Sequence, residues 1–336
     1  MTHSTTPASL ILARLKAQPD RYVSGSVLAE ELSITRTAIW KHIQALTERG
    51  YTIERQPRRG YRLIAAPDLL LPEEILPSLH THWLGHHFVH HMETASTNQD
   101  ALLLATQGAP HGTVVVAEHQ TAGRGRLRRS WNSPKESGIY VSLLFTRPVP
   151  AHRAPQAPLV IALALTRVLR CQFGLDASIK WPNDVLIRGR KVSGILAEMQ
   201  LDQDELRHLV VGVGINVNQT EEQFLGDFRY PPTSLAMELQ RTVSRKAALV
   251  AFLEETELVY NGYEQDGFSH YLEEFESVSA VLGKKVLVQT GDQSLVGVVR
   301  GFTTEGALRL LPEKGQPETT IWAGDVSRLS GDFTQG

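Results

Sequence analysis

The stretch "TRTAIWKHIQALTERGYTIERQPRRGYRLI", residues 35–64, constrains the fold more than any other, because its residue types mark where a helix starts and stops. Thr35 suits an N-cap, where a hydroxyl accepts from a first-turn amide. Gly50 suits the position just past a helix C-terminus. Between them Ile39, Ile43 and Leu46 recur at i, i+4 and i+7, the spacing of a buried stripe. Two short strand-like runs then flank Pro57-Arg58-Arg59-Gly60. Upstream, residues 9–20 read as a helix that stops near Pro19, and residues 26–32 as another, followed by the short break "LSIT". Helix, helix, turn, helix and a two-stranded ribbon make a winged helix-turn-helix pattern.

Charge is uneven along the chain. Residues 1–66 hold ten Lys/Arg against five Asp/Glu, whereas the remainder holds 24 against 31. A basic head on an acidic body points to a separate partner for the head. On the helix face away from the stripe, Arg36, Thr37, Lys41 and Gln44 suit phosphate oxygens and base edges in a major groove. Arg58 and Arg59 at the wing tip suit phosphate or the minor groove. Trp40 shares the exposed face, where it either touches thymine methyls or packs on another helix. An ordinary helical fold with a solvated basic face is the competing reading, and the basic wing favours DNA.

The rest of the 336 residues, 42% hydrophobic and 21% charged, has the balance of a globular chain. No apolar run approaches the ~20 residues that span a bilayer. The start lacks a basic segment before its short apolar stretch, which makes it a poor signal peptide. Cys171 is the single cysteine, so no disulfide forms within the chain and a thiolate zinc site is disfavoured. Its apolar surroundings predict a small core residue, and a reducing cytoplasm is expected. Residues 65–78 are proline-rich and read as a linker with a short helix. Strand character follows at residues 112–120, 138–145, 178–187, 191–200 and 208–218, with helices at 158–173 and 245–263. From Lys284 onward, short strands with Gly-rich turns read as a small barrel-like domain.

Four stretches carry the chemistry. In "ETASTNQDALLLATQG", Ser96 and Thr97 precede a helical run; either caps it, or together they hold a polar head group. The residues alone favour the cap. "AEHQTAGRGRLRRSW" places Arg124, Arg126, Arg128 and Arg129 on a loop loosened by Gly123 and Gly125, which implies an anionic partner. In "SIKWPNDVLIRGRKVSGILAEMQ", Lys180, Trp181, Asn183 and Asp184 crowd a strand-like segment in which Pro182 implies a bulge or an edge. Lys191 opens the next strand, where it can offset charge developing at a phosphate. Asp184 is a candidate ligand for a divalent metal. "VVGVGINVN" alternates Gly212 and Gly214 on an apolar strand, leaving room for a flat ligand or another backbone.

Taken in order, "STNQ", "EHQTAGRGR…W", "KWPND", "KVSGILAE" and "GVGINVN" closely resemble the biotin protein ligases. With the winged helix, the whole chain resembles their bifunctional, operon-repressing type. The resemblance implies an α+β multidomain fold: a winged helix-turn-helix domain over 1–65, a mixed α/β catalytic domain like those of biotin and lipoate ligases over 66–278, and an SH3-like β-barrel over 279–336. It implies that biotin and ATP, with Mg2+, give biotinyl-5′-AMP, and that biotin then passes to a lysine of a biotin carboxyl carrier domain of acetyl-CoA carboxylase. The adenylate would also act as corepressor, favouring a homodimer that binds operator DNA.

By matched motif, Ser96, Thr97, Asn98 and Gln120 should contact biotin. Arg124, Gly125 and Arg126 should close over biotin and the adenylate, and Lys191 should meet the biotin carboxylate or the α-phosphate, with Arg126 and Lys191 catalytic. Trp131, Lys180, Asn183, Asp184, Gly194 and Asn216 should line the nucleotide, biotin or metal positions. The family pattern "GRGRRGRxW" reads "GRGRLRRSW" here, so Leu127-Arg128 stands where an Arg-Gly pair is usual. That should stiffen the loop and offer Leu127 to the adenylate. A ligand-sensing regulator without transfer activity, a ligase with a vestigial wing, and a lipoate ligase are the alternatives.

Overall fold

The computed structural model describes residues 6–328 apart from 148–149, 203–204, 225–227, 229, 292 and 314. Two compact units emerge, Met1–Pro77 and Ser78–Gly336. In the first, α1 (Pro7–Lys16), α2 (Gly25–Glu31) and α3 (Arg36–Glu48) precede the hairpin β1 (Thr52–Gln56) and β2 (Gly60–Ala65). The Thr35 hydroxyl accepts from the Ala38 amide at 3.1 Å, as the N-cap reading requires. Ile39, Ile43 and Leu46 are buried against Ile11, Leu12, Leu15 and Leu28. The wing turns through Arg58 at φ 66° and Gly60 at φ 114°. A Cβ on Gly60 would lie 2.0 Å from the Val23 carbonyl, so glycine is required where Tyr61 pairs with Val23. Residues 65–78, expected as a linker, instead contribute to this core. Leu69 and Leu71 join it, and α4 (Pro72–Ile75) supplies Glu74, whose buried carboxylate accepts from Tyr51 at 2.6 Å and Lys16 at 2.7 Å.

The second unit is built on a seven-stranded sheet. Its strands are β3 (Phe88–His91), β4 (Thr113–Ala117), β5 (Gly138–Phe145), β6 (Ala177–Lys180), β7 (Asp184–Ile187), β8 (Arg190–Asp202) and β9 (Glu205–Asn216), in the order β3-β4-β5-β9-β8-β7-β6. Among these neighbours only β3 and β4 run parallel. The helices are α5 (Thr97–Thr106), α6 (Ala157–Cys171), the short α7 (Leu235–Leu239) and α9 (Leu272–Ser277), and the long α8 (Arg245–Asp266). Ala101 and Ala105 of α5 pack on Val115, Leu144 and Val210, the face that also carries Ser142 and Gly212. Phe145 points to the other face and stacks at 4.2 Å on Tyr260 of α8.

Two expectations are corrected here. Residues 178–187 form not one interrupted strand but the antiparallel pair β6–β7, turning through the cis Trp181–Pro182 peptide. Alternation reads the same on both arms of a hairpin, and only Pro182, which cannot donate to a ladder, marks the break. Cys171 is exposed at the last position of α6, not buried in the core.

The second unit also holds a five-stranded antiparallel sheet: β10 (Lys285–Thr290), β11 (Gln293–Phe302), β12 (Leu308–Pro312), β13 (Thr319–Ile321) and β14 (Asp325–Arg328), ordered β13-β12-β11-β10-β14. Buried Trp181 donates its indole N–H to the Gly306 carbonyl at 3.0 Å, tying this sheet to the β6–β7 turn. Among the described residues no helix is long and apolar enough to cross a membrane.

Candidate active site

A cavity of about 420 Å³ opens where the start of α5, the loop before β5, the β6–β7 turn, and the facing ends of β8 and β9 meet the start of β14. Every residue assigned above to biotin, nucleotide or metal lines it. The arginine-rich loop and the strands that answer it are far apart in sequence; the sheet register brings them together.

One end of the cavity is neutral and polar. Ser142, Gly212 and Leu196 sit in one row across β5, β9 and β8, and the Asn98 amide lies over Gly212, where a Cβ would stand 2.2 Å from its oxygen. The expected space above the glycines is thus filled by a side chain. Asn98 donates to Glu198 at 2.6 Å, and the hydroxyl of buried Ser142 lies 2.6 Å from its carbonyl oxygen and 2.7 Å from the Thr97 hydroxyl. Gln120 accepts from the Thr97 amide at 3.0 Å and donates to Ser133 at 3.0 Å. Ser96 holds the N-cap position but its side chain makes no capping bond, so the capping role favoured from the sequence fails. Gln120, not Ser96, satisfies the first-turn amide of Thr97.

The other end is cationic. Lys180 and Lys191 flank the buried Asp184 carboxylate at 3.2 and 2.6 Å. Burial would raise the Asp184 carboxyl, but the ammonium groups of Lys191 and Lys180 outweigh it and hold the group below its ordinary value. Lys180 also lies 4.0 Å from the centre of the Tyr230 ring. Arg126 donates to the Gly324 carbonyl at 3.1 Å and reaches Asn183 at 3.4 Å. Burial lowers its pKa, yet a guanidinium keeps its charge. With its amide turned to accept, Gln99 takes the Arg124 guanidinium at 2.8 and 3.2 Å. Arg129 pairs with Asp325 at 2.7 Å. Arg124, Arg126 and Arg129 with the two lysines outnumber Asp184 and Asp325, so this end of the lining carries net positive charge.

Between the two ends the Trp131 indole rests on Gly214 and Gly194, where added Cβ atoms would come within 2.3 and 2.9 Å. Its buried N–H has no partner among the described residues. Asn216 donates to the Thr233 carbonyl at 3.0 Å and so fastens the following loop to β9. Leu127 and Arg128 both occupy the left-handed region, at φ 55° and 59°. The backbone therefore keeps a glycine-like conformation at the position where the family pattern has glycine. Leu127 is 67% exposed at the cavity rim.

Sequence reading passed over Gln99, Ser142, Glu198, Tyr230 and Asp325. Gln99 closes "STNQ" and Glu198 closes "KVSGILAE", so both could have been found; the others carry no local signal. In the first unit Arg36, Thr37, Lys41 and Gln44 are exposed along α3 beside Trp40, which is 43% exposed. Arg58 and Arg59 are exposed at the wing turn, with Arg59 4.3 Å over the Tyr22 ring.

A profile of the biotin/lipoate A/B protein ligase family matches residues 92–216, and one described as an HTH domain matches residues 8–62. The chain is 37% identical over 305 residues to the bifunctional ligase/repressor BirA of Bacillus spizizenii, covering 91% of this chain and 93% of that protein. It is 31% identical to the protein of the same name from Escherichia coli, over 99% of this chain and all of that one. Among solved structures, the biotin protein ligase from Aquifex aeolicus in complex with biotin and ATP superposes with a TM-score of 0.62 at 31% identity, covering 72% of this chain and 97% of that one.

Proposed function

The chain belongs to the biotin/lipoate A/B protein ligase family, with the domain content of its bifunctional ligase/repressor members, and on that premise we propose how its own residues divide the work. It is an ATP-dependent biotin protein ligase carrying a helix-turn-helix DNA-binding domain. The biotin carboxylate attacks the α-phosphorus of ATP, giving biotinyl-5′-AMP and releasing pyrophosphate. A lysine amine of the acceptor then attacks the acyl carbon, and AMP leaves. The observation that carries the reading is a single cavity with a neutral hydrogen-bonding floor and a cationic mouth.

Biotin presents a neutral ureido head and an anionic tail, which match the two ends. Ser96, Thr97, Asn98 and Gln120 take the head. Lys191 and Arg126 offset the repulsion between carboxylate and α-phosphate as they approach, and Arg124 with Gly125 covers them. Lys180, Asn183, Trp131, Gly194 and Asn216 shape the nucleotide side.

Magnesium accompanies ATP in the expected reaction, but Asp184 fits it poorly. Both carboxylate oxygens already face lysine ammonium groups. Among the described residues no group of three His, Cys, Asp or Glu forms a metal cage. No step is assigned to the ion beyond its travelling with the phosphates, as Mg2+ commonly does.

The acceptor is a biotin carboxyl carrier domain of acetyl-CoA carboxylase. With the adenylate bound, the protein dimerises and binds operator DNA through Arg36, Thr37, Lys41, Gln44, Arg58 and Arg59. Incubation with ATP, magnesium, biotin and a carrier domain should give one biotinylated lysine by mass spectrometry; an unmodified carrier removes the enzymatic half. A footprint on promoters of biotin genes should appear with biotin and ATP and fade without them. Sedimentation that stays monomeric with adenylate removes the dimer.

A further inference from the structure

We infer that Glu198, which does not line the cavity, is a positioning residue that sets the hydrogen-bond polarity of the floor and with it the preference for a ureido head. The inference rests on the ligase reading above. Asn98 donates its amide to the Glu198 carboxylate at 2.6 Å and, more weakly, to the Leu196 carbonyl at 3.4 Å. A carboxylate only accepts, so the Asn98 carbonyl must face Ser142, at 2.6 Å. That oxygen also only accepts, so it takes the single Ser142 proton. The Thr97 hydroxyl also lies 3.2 Å from the Gln120 carbonyl, but the shorter 2.7 Å contact to Ser142, whose own proton is spent, takes the Thr97 proton. With its proton committed, the Thr97 hydroxyl can offer a ligand in the cavity only a lone pair.

The hydrogen-bond chain therefore starts at the Glu198 acceptor and ends at the Thr97 donor. The Thr97 amide, at 3.0 Å, holds the Gln120 carbonyl in its accepting role, and the Ser96 hydroxyl is left to adapt. A ureido ring brings N–H donors beside a carbonyl acceptor and satisfies such a floor. A dithiolane ring brings no donor and leaves buried acceptors unmet, which is the costly case for a site built around hydrogen bonds. Gly212 is what permits the relay, because any Cβ there would displace the Asn98 oxygen.

The test is steady-state pyrophosphate release by the full-length protein, with biotin, with biotin methylated on a ureido nitrogen, and with varied ATP. Glu198→Leu should raise the KM for biotin by about tenfold or more, the loss expected for a charge-assisted hydrogen bond, with kcat and the KM for ATP within about twofold. Glu198→Gln, whose amide carbonyl can still accept, should restore it. Ser142→Ala should reproduce the biotin-specific rise and carries the test if the leucine variant does not fold. N-methylation should cost the unaltered protein about tenfold and Glu198→Leu under about twofold, because the partner it removes is already misaligned. The inference is overturned if biotin KM stays unchanged, if ATP KM and kcat move in parallel with it, or if the methyl penalty is equal in both proteins. No turnover by the unaltered protein removes the ligase reading instead.

Discussion

Lys191 shares one buried carboxylate with Lys180, and this decides what its removal does. Asp184 keeps a cation when Lys191 is lost, so no buried charge is orphaned. Lys191→Ala should therefore slow adenylate formation by at least about tenfold while leaving the thermal midpoint nearly in place, checked by pyrophosphate release and calorimetry. His111 behaves oppositely, as a stability residue. Its Nδ1 accepts from the Thr146 and Arg147 amides at 3.2 and 3.3 Å, which requires a neutral ring. Burial, helped by the Arg147 guanidinium, pushes its pKa from 6.5 down to about 4. The unfolded chain takes a proton near 6.5 and the folded one only near 4, so stability is whole above that window and drains as pH falls through it. His111→Asn keeps an acceptor without titrating. Its melting temperature should fall less between pH 7 and 4 than that of the unaltered protein; an equal fall would assign the acid sensitivity elsewhere.

At the scale of elements, β9 is where sequence and structure answer each other most closely. Its alternate glycines announced a close approach, but not by what. The structure answers with Asn98 over Gly212 and Trp131 over Gly214. Gly212→Ala should destabilise by about 1–3 kcal/mol, as overpacking does, and weaken biotin binding, since Asn98 must move. Unchanged melting and titration would mean that the relay yields without cost. The start of α5 shows the converse limit. Ser96 occupies a capping position by every local criterion, yet Gln120 takes over the amide and frees the serine for the cavity. The hairpin β6–β7 was hidden for a similar reason, because its two arms share one alternation and the turn is only three residues long.

For the whole molecule, two units serve two anions. The head presents exposed Arg36, Lys41, Arg58 and Arg59, and the body gathers its cations inside a cavity. If both wing arginines meet phosphates, Arg58→Ala with Arg59→Ala should flatten the slope of log K against log salt for DNA by about 0.9 for each phosphate left unneutralised, without changing biotinylation. An unaltered slope would remove the wing from the interface. The residue pattern by itself determined the winged head, most strands, the arginine-rich loop and the motifs that line the cavity, because caps, periods, glycine requirements and charge runs are local properties of the chain. Only the tertiary structure decided that Ser142, Tyr230 and Asp325 stand beside those motifs, that Glu198 holds Asn98, that Asp184 is held by two lysines, and that residues 65–78 close a core. Those outcomes depend on register: a shift of one residue in a strand sends every side chain to the opposite face, and no local preference fixes which distant strand it meets.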